Sequence, residues 1–157
     1  MSKTAVVYYS YGNNTKRIAE MIQSKMGAEL FRIETVTPYT GSYNEVVDQG
    51  KIEIDSGFNP PIQPLNMQLN QYDTIILGTP VWWYTLAPAV STFLAETDLS
   101  GKKIIPFATN AGWLGHTFQD IKKLCSASKV MDGMSIQFSE NTLETSIKTI
   151  NSWIESI

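Results

Sequence analysis

The chemistry this chain could carry is concentrated first in Ser10-Tyr11-Gly12-Asn13-Asn14-Thr15, between the apolar run Thr4 to Tyr9 and the helix-like run Lys16 to Met26. A buried strand ending in small polar residues just before a helix start gathers unpaired backbone N–H groups and the positive end of a helix dipole at one point. Such a point binds phosphate, and the hydroxyls of Ser10 and Thr15 are further donors. Gly12 tolerates positive φ, and Asn13 and Asn14 enter the left-handed region more readily than most residues. Read alone, the same residues also make an ordinary N-capped turn, because many turns of this composition bind nothing.

Two further stretches have the residue types of a binding site. Thr79-Pro80-Val81-Trp82-Trp83-Tyr84 carries three consecutive aromatics after an apolar run. Side chains alternate sides in extended chain, so three adjacent rings cannot all enter one core, and at least one is exposed or covers something. Beyond the C-terminal end of a parallel strand, the group is suited to wall a flat aromatic ligand; the plainer reading is a cap on the sheet edge. Thr109-Asn110-Ala111-Gly112-Trp113 is a third loop of small residues with another tryptophan.

Nucleophilic and metal chemistry have little to draw on. Cys125 is the one cysteine and His116 the one histidine, so a Cys-His pair or a protein-built zinc site would need both. Cys125 lies among apolar neighbours and reads as a packing residue. His116, beside the third loop, is a proton-donor candidate for a bound ligand, and Lys16 reads as a solvated helix residue. Twelve Lys+Arg against fifteen Asp+Glu give a formal charge of −3, and no long basic run is present, so nucleic acid is not an expected partner. At 43% hydrophobic, with no apolar run near the ~18 residues of a membrane span and no basic-then-apolar leader, the chain is expected to be a cytoplasmic single domain over residues 1–157.

The elements that must position these groups follow from hydrophobic period. Thr4 to Tyr9 is continuously apolar, as in a strand buried on both faces. A helix follows from Thr15, with Ile18, Ala19, Ile22 and Met26 inward and Gly27 as its stop. Glu29 to Val36 alternates and reads as an edge strand; Tyr43 to Asp55 is helical with Val46, Val47, Gly50 and Ile54 on one side; Pro60, Pro61 and Pro64 enforce an extended connection. Tyr72 to Thr79 is a second central strand, Pro88 to Glu96 a helix and Lys103 to Thr109 a strand. In that strand Pro106 requires a bulge or a position needing no ladder donor. Thr117 to Leu124, Val130 to Phe138 and Thr142 to Ile157 read as helix, strand and helix.

This alternation predicts an α/β three-layer sandwich, with a five-stranded parallel sheet between two layers of helices. In the order 2-1-3-4-5, the first and third strands meet at the switch point, and the three distinctive loops line one crevice. A phosphate at one end and a flat ring at the other describe FMN.

The chain resembles the flavodoxin-like family, in particular short single-domain flavodoxins with a Pro-x-Trp-Trp loop. The resemblance runs through Tyr8 to Lys16, through YDTIILGTPVWW (Tyr72 to Trp83) and through Leu99 to Cys125. FMN at the switch point of that strand order is a known property of flavodoxin itself and enters as part of the resemblance. The resemblance implies that Ser10, Asn14 and Thr15 bind the FMN phosphate. Gly12 and Asn13 stand where the family usually has Ser or Thr and then Gly, so Asn13 is expected to take a shape that glycine takes more cheaply. Pro80 to Tyr84 would flank the isoalloxazine, with either Trp82 or Trp83 stacking. Asn110 to Gly112 would approach the flavin edge through backbone N–H groups, with Trp113 covering the ring or narrowing access.

The implied function is an FMN-dependent redox protein, working with a redox partner protein or a small quinone-like acceptor. A charge of −3 is weak for a carrier steered to basic partners, which tilts the reading toward reductase character. The alternative is a flavin-free binding or regulatory module on the same fold, motivated by Gly12 and Asn13. A phosphohydrolase or receiver domain would need acidic residues at the end of the first strand, where Tyr8, Tyr9 and Ser10 stand.

Overall fold

Central strand β1 (Thr4–Tyr9) shows why the apolar run is unbroken: Ala5, Val7 and Tyr9 enter the core on one sheet face, and Val6 and Tyr8 enter it on the other. The computed structural model describes residues 3–157; residues 1 and 2 of the expected domain lie outside the described residues. After β1 come α1 (Asn14–Met26), β2 (Glu29–Ile33), α2 (Tyr43–Ser56), β3 (Thr74–Trp82), β4 (Thr85–Leu86) and α3 (Pro88–Glu96). The chain continues through β5 (Lys103–Asn110), α4 (Thr117–Leu124), β6 (Lys129–Val130), β7 (Met134–Ser139), β8 (Thr142–Leu143) and α5 (Ile147–Glu155).

The parallel strands run β2-β1-β3-β5-β7, the expected 2-1-3-4-5 order with β2 at the edge. One core cluster joins a sheet face to Val90 and Phe93 of α3 and Ile121 of α4. The other joins the opposite face to Ile18 and Ile22 of α1 and Ile150 and Ile154 of α5. The C-terminal ends of β1, β3 and β5 therefore open side by side at one edge of the sandwich.

The sheet exceeds the five strands expected, and the additions have local causes. The expected strand Val130 to Phe138 is broken at Met131 to Gly133 into β6 and β7, which pair with successive parts of β5. Met131 N–H donates to Ile104 C=O, placing even-numbered β5 donors on that side, so Pro106 falls at the gap between β6 and β7. There its missing N–H costs no ladder bond. Leu143 belongs to β8, antiparallel to β7, and the last helix starts at Ile147, where Ser146 caps it by accepting from Thr149 N–H. The edge strand stops at Ile33; Thr35 instead pairs antiparallel with Ile62 in the proline-rich connection. Finally, β3 does not stop at Thr79 but runs through Trp82 and turns back into β4.

Candidate functional site

The turn after β1 is built by its own side chains. Ser10 Oγ donates to Gly12 C=O at 2.9 Å and accepts from Lys16 N–H at 3.3 Å. Asn14 Nδ2 donates to Glu140 C=O at 2.8 Å, tying the start of α1 to the β7–β8 turn. Thr15 is buried, and its hydroxyl pairs at 2.8 Å with that of Thr109 at the end of β5. The hydroxyl hydrogen of Ser10 and one of the two amide hydrogens of Asn14 are thus engaged within the protein, and Asn14 keeps a second donor. In the threonine pair one O–H is consumed and the other stays available.

The turn's other donors are backbone amides. Among the described residues, the N–H groups of Tyr11, Gly12, Asn13, Asn14 and Thr15 pair with no protein acceptor, and they lie at the N-terminus of a 13-residue helix. Asn13 sits at φ −119°, and neither Gly12 nor Asn14 has positive φ. The expected left-handed conformation is absent, and Asn13 carries none of the strain anticipated from standing at a glycine position.

Beside the turn lies a cleft of about 370 Å³, walled by Tyr11, by Val81 to Tyr84, by Asn110, Ala111 and Trp113, and by Tyr43, Val46, Val47 and Gly50 of α2. Its size is within the range of small-molecule sites. Trp82 is the anchor of the wall. Its ring meets Tyr9, Tyr11 and Tyr39 edge-on at centroid distances of 5.9, 6.1 and 5.1 Å. On its other side it rests on Gly50, where a Cβ would come within 3.1 Å of the ring.

Trp83 and Tyr84 are the two central residues of the β3–β4 hairpin, at φ +49° and +68°. Positive φ at both positions is the type I′ pattern, normally filled by Asn-Gly, and costs an L-residue about 1–2 kcal/mol each. This resolves how three adjacent aromatics are placed: the chain is extended only to Trp82, and the next two rings are turned to the rim, 40% and 53% exposed. Trp83 Nε1 donates to Val47 C=O at 2.9 Å, and Lys51 Nζ lies 5.5 Å from the ring centroid. Trp113, 67% exposed, stands on the opposite rim.

The remaining expected site residues support these walls. Thr79 is buried, with Oγ1 donating to Pro80 C=O and accepting from Ala87 N–H just before α3. Pro80 pairs in register with Thr109, joining the two strand ends. Asn110 Oδ1 accepts from Gly112 N–H at 2.9 Å, so that amide is used within its own loop. His116, expected as a proton donor, lines a neighbouring cavity with Asp120 and Lys123 and is not among the residues walling the aromatic cleft.

Around the buried edge of Trp82, electrostatics favour neutral phenols. Burial pushes the Tyr9 hydroxyl well above its ordinary range, and burial together with the Glu53 carboxylate does the same to Tyr39. Tyr39 donates to Glu53 Oε1 at 2.6 Å, and Gln49 Nε2 donates to the other oxygen at 3.0 Å, satisfying a buried carboxylate behind Trp82. The contribution of α2 to the cleft was missed by sequence reasoning. Gly50, on the inward face of an otherwise regular helix, was its available sign, since such a glycine marks close approach by another group.

A family model described as flavodoxin matches residues 3–157. The chain belongs to the flavodoxin family. Among solved structures, a protein from Bacteroides eggerthii DSM 20697 described as a flavoprotein is 28% identical over 100% of this chain and 98% of its own, with a TM-score of 0.84. A flavoprotein from Lactobacillus acidophilus NCFM, solved in complex with FMN, is 26% identical over 87% of this chain and 93% of its own, with a TM-score of 0.76. No curated protein matches the sequence. In this flavodoxin-family chain no helix among the described residues is long and apolar enough to cross a membrane.

Proposed function

We propose that this chain is an FMN-binding redox protein. One juxtaposition carries the reading: five unpaired amides and an available threonine hydroxyl at the start of α1 adjoin an aromatic-walled cleft at the ends of β3 and β5. The first set suits a phosphate dianion and the second a flat conjugated ring. The relative solved with FMN supports the assignment.

The amides of Tyr11 to Thr15 and the Thr15–Thr109 hydroxyl pair would hold the phosphate. Trp83, Tyr84 and Trp113 would flank the ring, while Trp82 fixes the wall from behind. When bound, FMN supplies one- and two-electron redox chemistry, and the protein orients it and limits water. The unstrained backbone at Asn13 takes away one of the two reasons for a flavin-free module, while the side-chain donor missing at Gly12 is offset by the unpaired backbone amides. A net charge of −3 gives little long-range steering to a basic partner, favouring reduction of a small quinone-like acceptor over a carrier role.

The test is titration of purified protein with FMN and with riboflavin, followed by flavin fluorescence and by tryptophan quenching. Binding with at least tenfold preference for FMN is expected. Thr15→Val should weaken FMN by about ten- to a hundredfold, the scale of one hydrogen bond to a charged group, and leave riboflavin unchanged. No change in fluorescence and no thermal shift with saturating FMN would refute the assignment.

A further inference from the structure

The strained Trp83–Tyr84 turn is braced from the loop across the cleft. Gly115 (φ +62°) passes so close that a Cβ would lie 2.2 Å from Tyr84 C=O, and His116 N–H donates to that oxygen at 2.8 Å. Thr85, the first residue after the turn and buried, donates from Oγ1 to Asp120 Oδ2 at 2.6 Å. The same carboxylate oxygen is paired with His116 Nδ1. One side chain on α4 therefore holds both the hairpin, through Thr85, and the β5–α4 loop, through His116.

Two consecutive L-residues in the left-handed region are unfavourable by themselves, so such a turn persists only when contacts outside it over-determine it. We propose that Asp120 is a positioning residue for the ring end of the cleft, coupling the Trp83–Tyr84 hairpin to the loop that carries Trp113. Its use for a flavin ring rests on the FMN reading above; the coupling itself is a property of the protein alone. The Asp120 carboxylate bonds Thr85 and His116 and none of the amides of Tyr11 to Thr15, so its loss acts on the ring and not on the phosphate.

Amide hydrogen exchange and flavin affinity together test this. In Asp120→Ala, the His116 amide is expected to exchange about tenfold faster, the scale of losing a charge-assisted bond, while the core amide of Ile76 is unchanged. FMN and riboflavin should both weaken by about that factor, leaving their ratio at the wild-type value, in contrast to Thr15→Val. Because Asp120 also lies in the first turn of α4, Thr85→Val provides an arm that leaves that charge in place. It should reproduce part of the effect and add nothing in the Asp120→Ala background. Unchanged exchange at His116 in both variants, or acceleration shared equally by Ile76, overturns the proposal. If the wild type binds neither flavin, the FMN reading falls and the exchange data alone decide the coupling.

Discussion

Replacing Gly115 with alanine tests whether the two loops of the cleft interlock as the geometry requires. At φ +62°, alanine gives up about 1–2 kcal/mol relative to glycine, and its Cβ would meet a backbone oxygen, Tyr84 C=O, at 2.2 Å. Backbone cannot rotate aside like the end of a side chain, so the hairpin must move. The His116 N–H to Tyr84 C=O bond at 2.8 Å then goes, at about 1 kcal/mol. The sum, about 2–3 kcal/mol, corresponds to a Tm lowered by roughly 5–10 °C in a chain of this size. Urea denaturation of the flavin-free protein measures the free energy without ligand linkage. Gly12→Ala is the control, since no atom lies within 4 Å of its Cβ and its backbone is outside the left-handed region. It should stay within about 1 kcal/mol of wild type, on the stabilising side. A Gly115→Ala protein melting within 2 °C of wild type, or a Gly12→Ala protein destabilised as much, would refute the interlocked-loop geometry.

Alkaline conditions should expose the buried phenols. Tyr9 and Tyr39 are held neutral in the folded state, by burial in both cases and by Glu53 at Tyr39, whereas in the unfolded chain they titrate near about 10. The folded state thus binds more protons above that pH, so stability is full below about pH 10 and falls as pH rises beyond it. Urea midpoints at increasing pH should show this decline, less steeply in Tyr39→Phe; a flat profile through pH 11 would contradict it. Cys125 is buried, and that burial pushes its thiol up, so a thiol reagent should label it only after denaturation. Stoichiometric labelling of the folded protein would show that α4 is not packed as described.

The sequence by itself determined the layered α/β architecture, because burial on two faces and burial on one leave different hydrophobic periods. Thr4 to Tyr9 and Tyr72 to Thr79 read as central strands, and the helices between the strands had to cover both faces. It also located the three loops of the candidate site, since small polar residues and adjacent aromatics at strand ends are local features. Element ends were less legible where partners set them: β2 stops at Ile33 as Thr35 pairs with Ile62, and Leu143 joins β8 instead of the last helix.

What tertiary structure decided was the use of each group inside those loops. Ser10, Asn14 and Thr79 have the composition of ligands, yet their polar atoms hold the turn, the β7–β8 hairpin and the start of α3. The placement of Gly50 under Trp82, and of Gly115 against Tyr84, depends on segments tens of residues apart in the chain. So does the left-handed turn that carries Trp83 and Tyr84. No local rule puts two bulky aromatics at positive φ; long-range contacts at α2, Gly115 and His116 supply the bonds and the space that hold them there. Composition shows that a flat, apolar wall is available, and only the packing of the two loops decides which rings face the cleft.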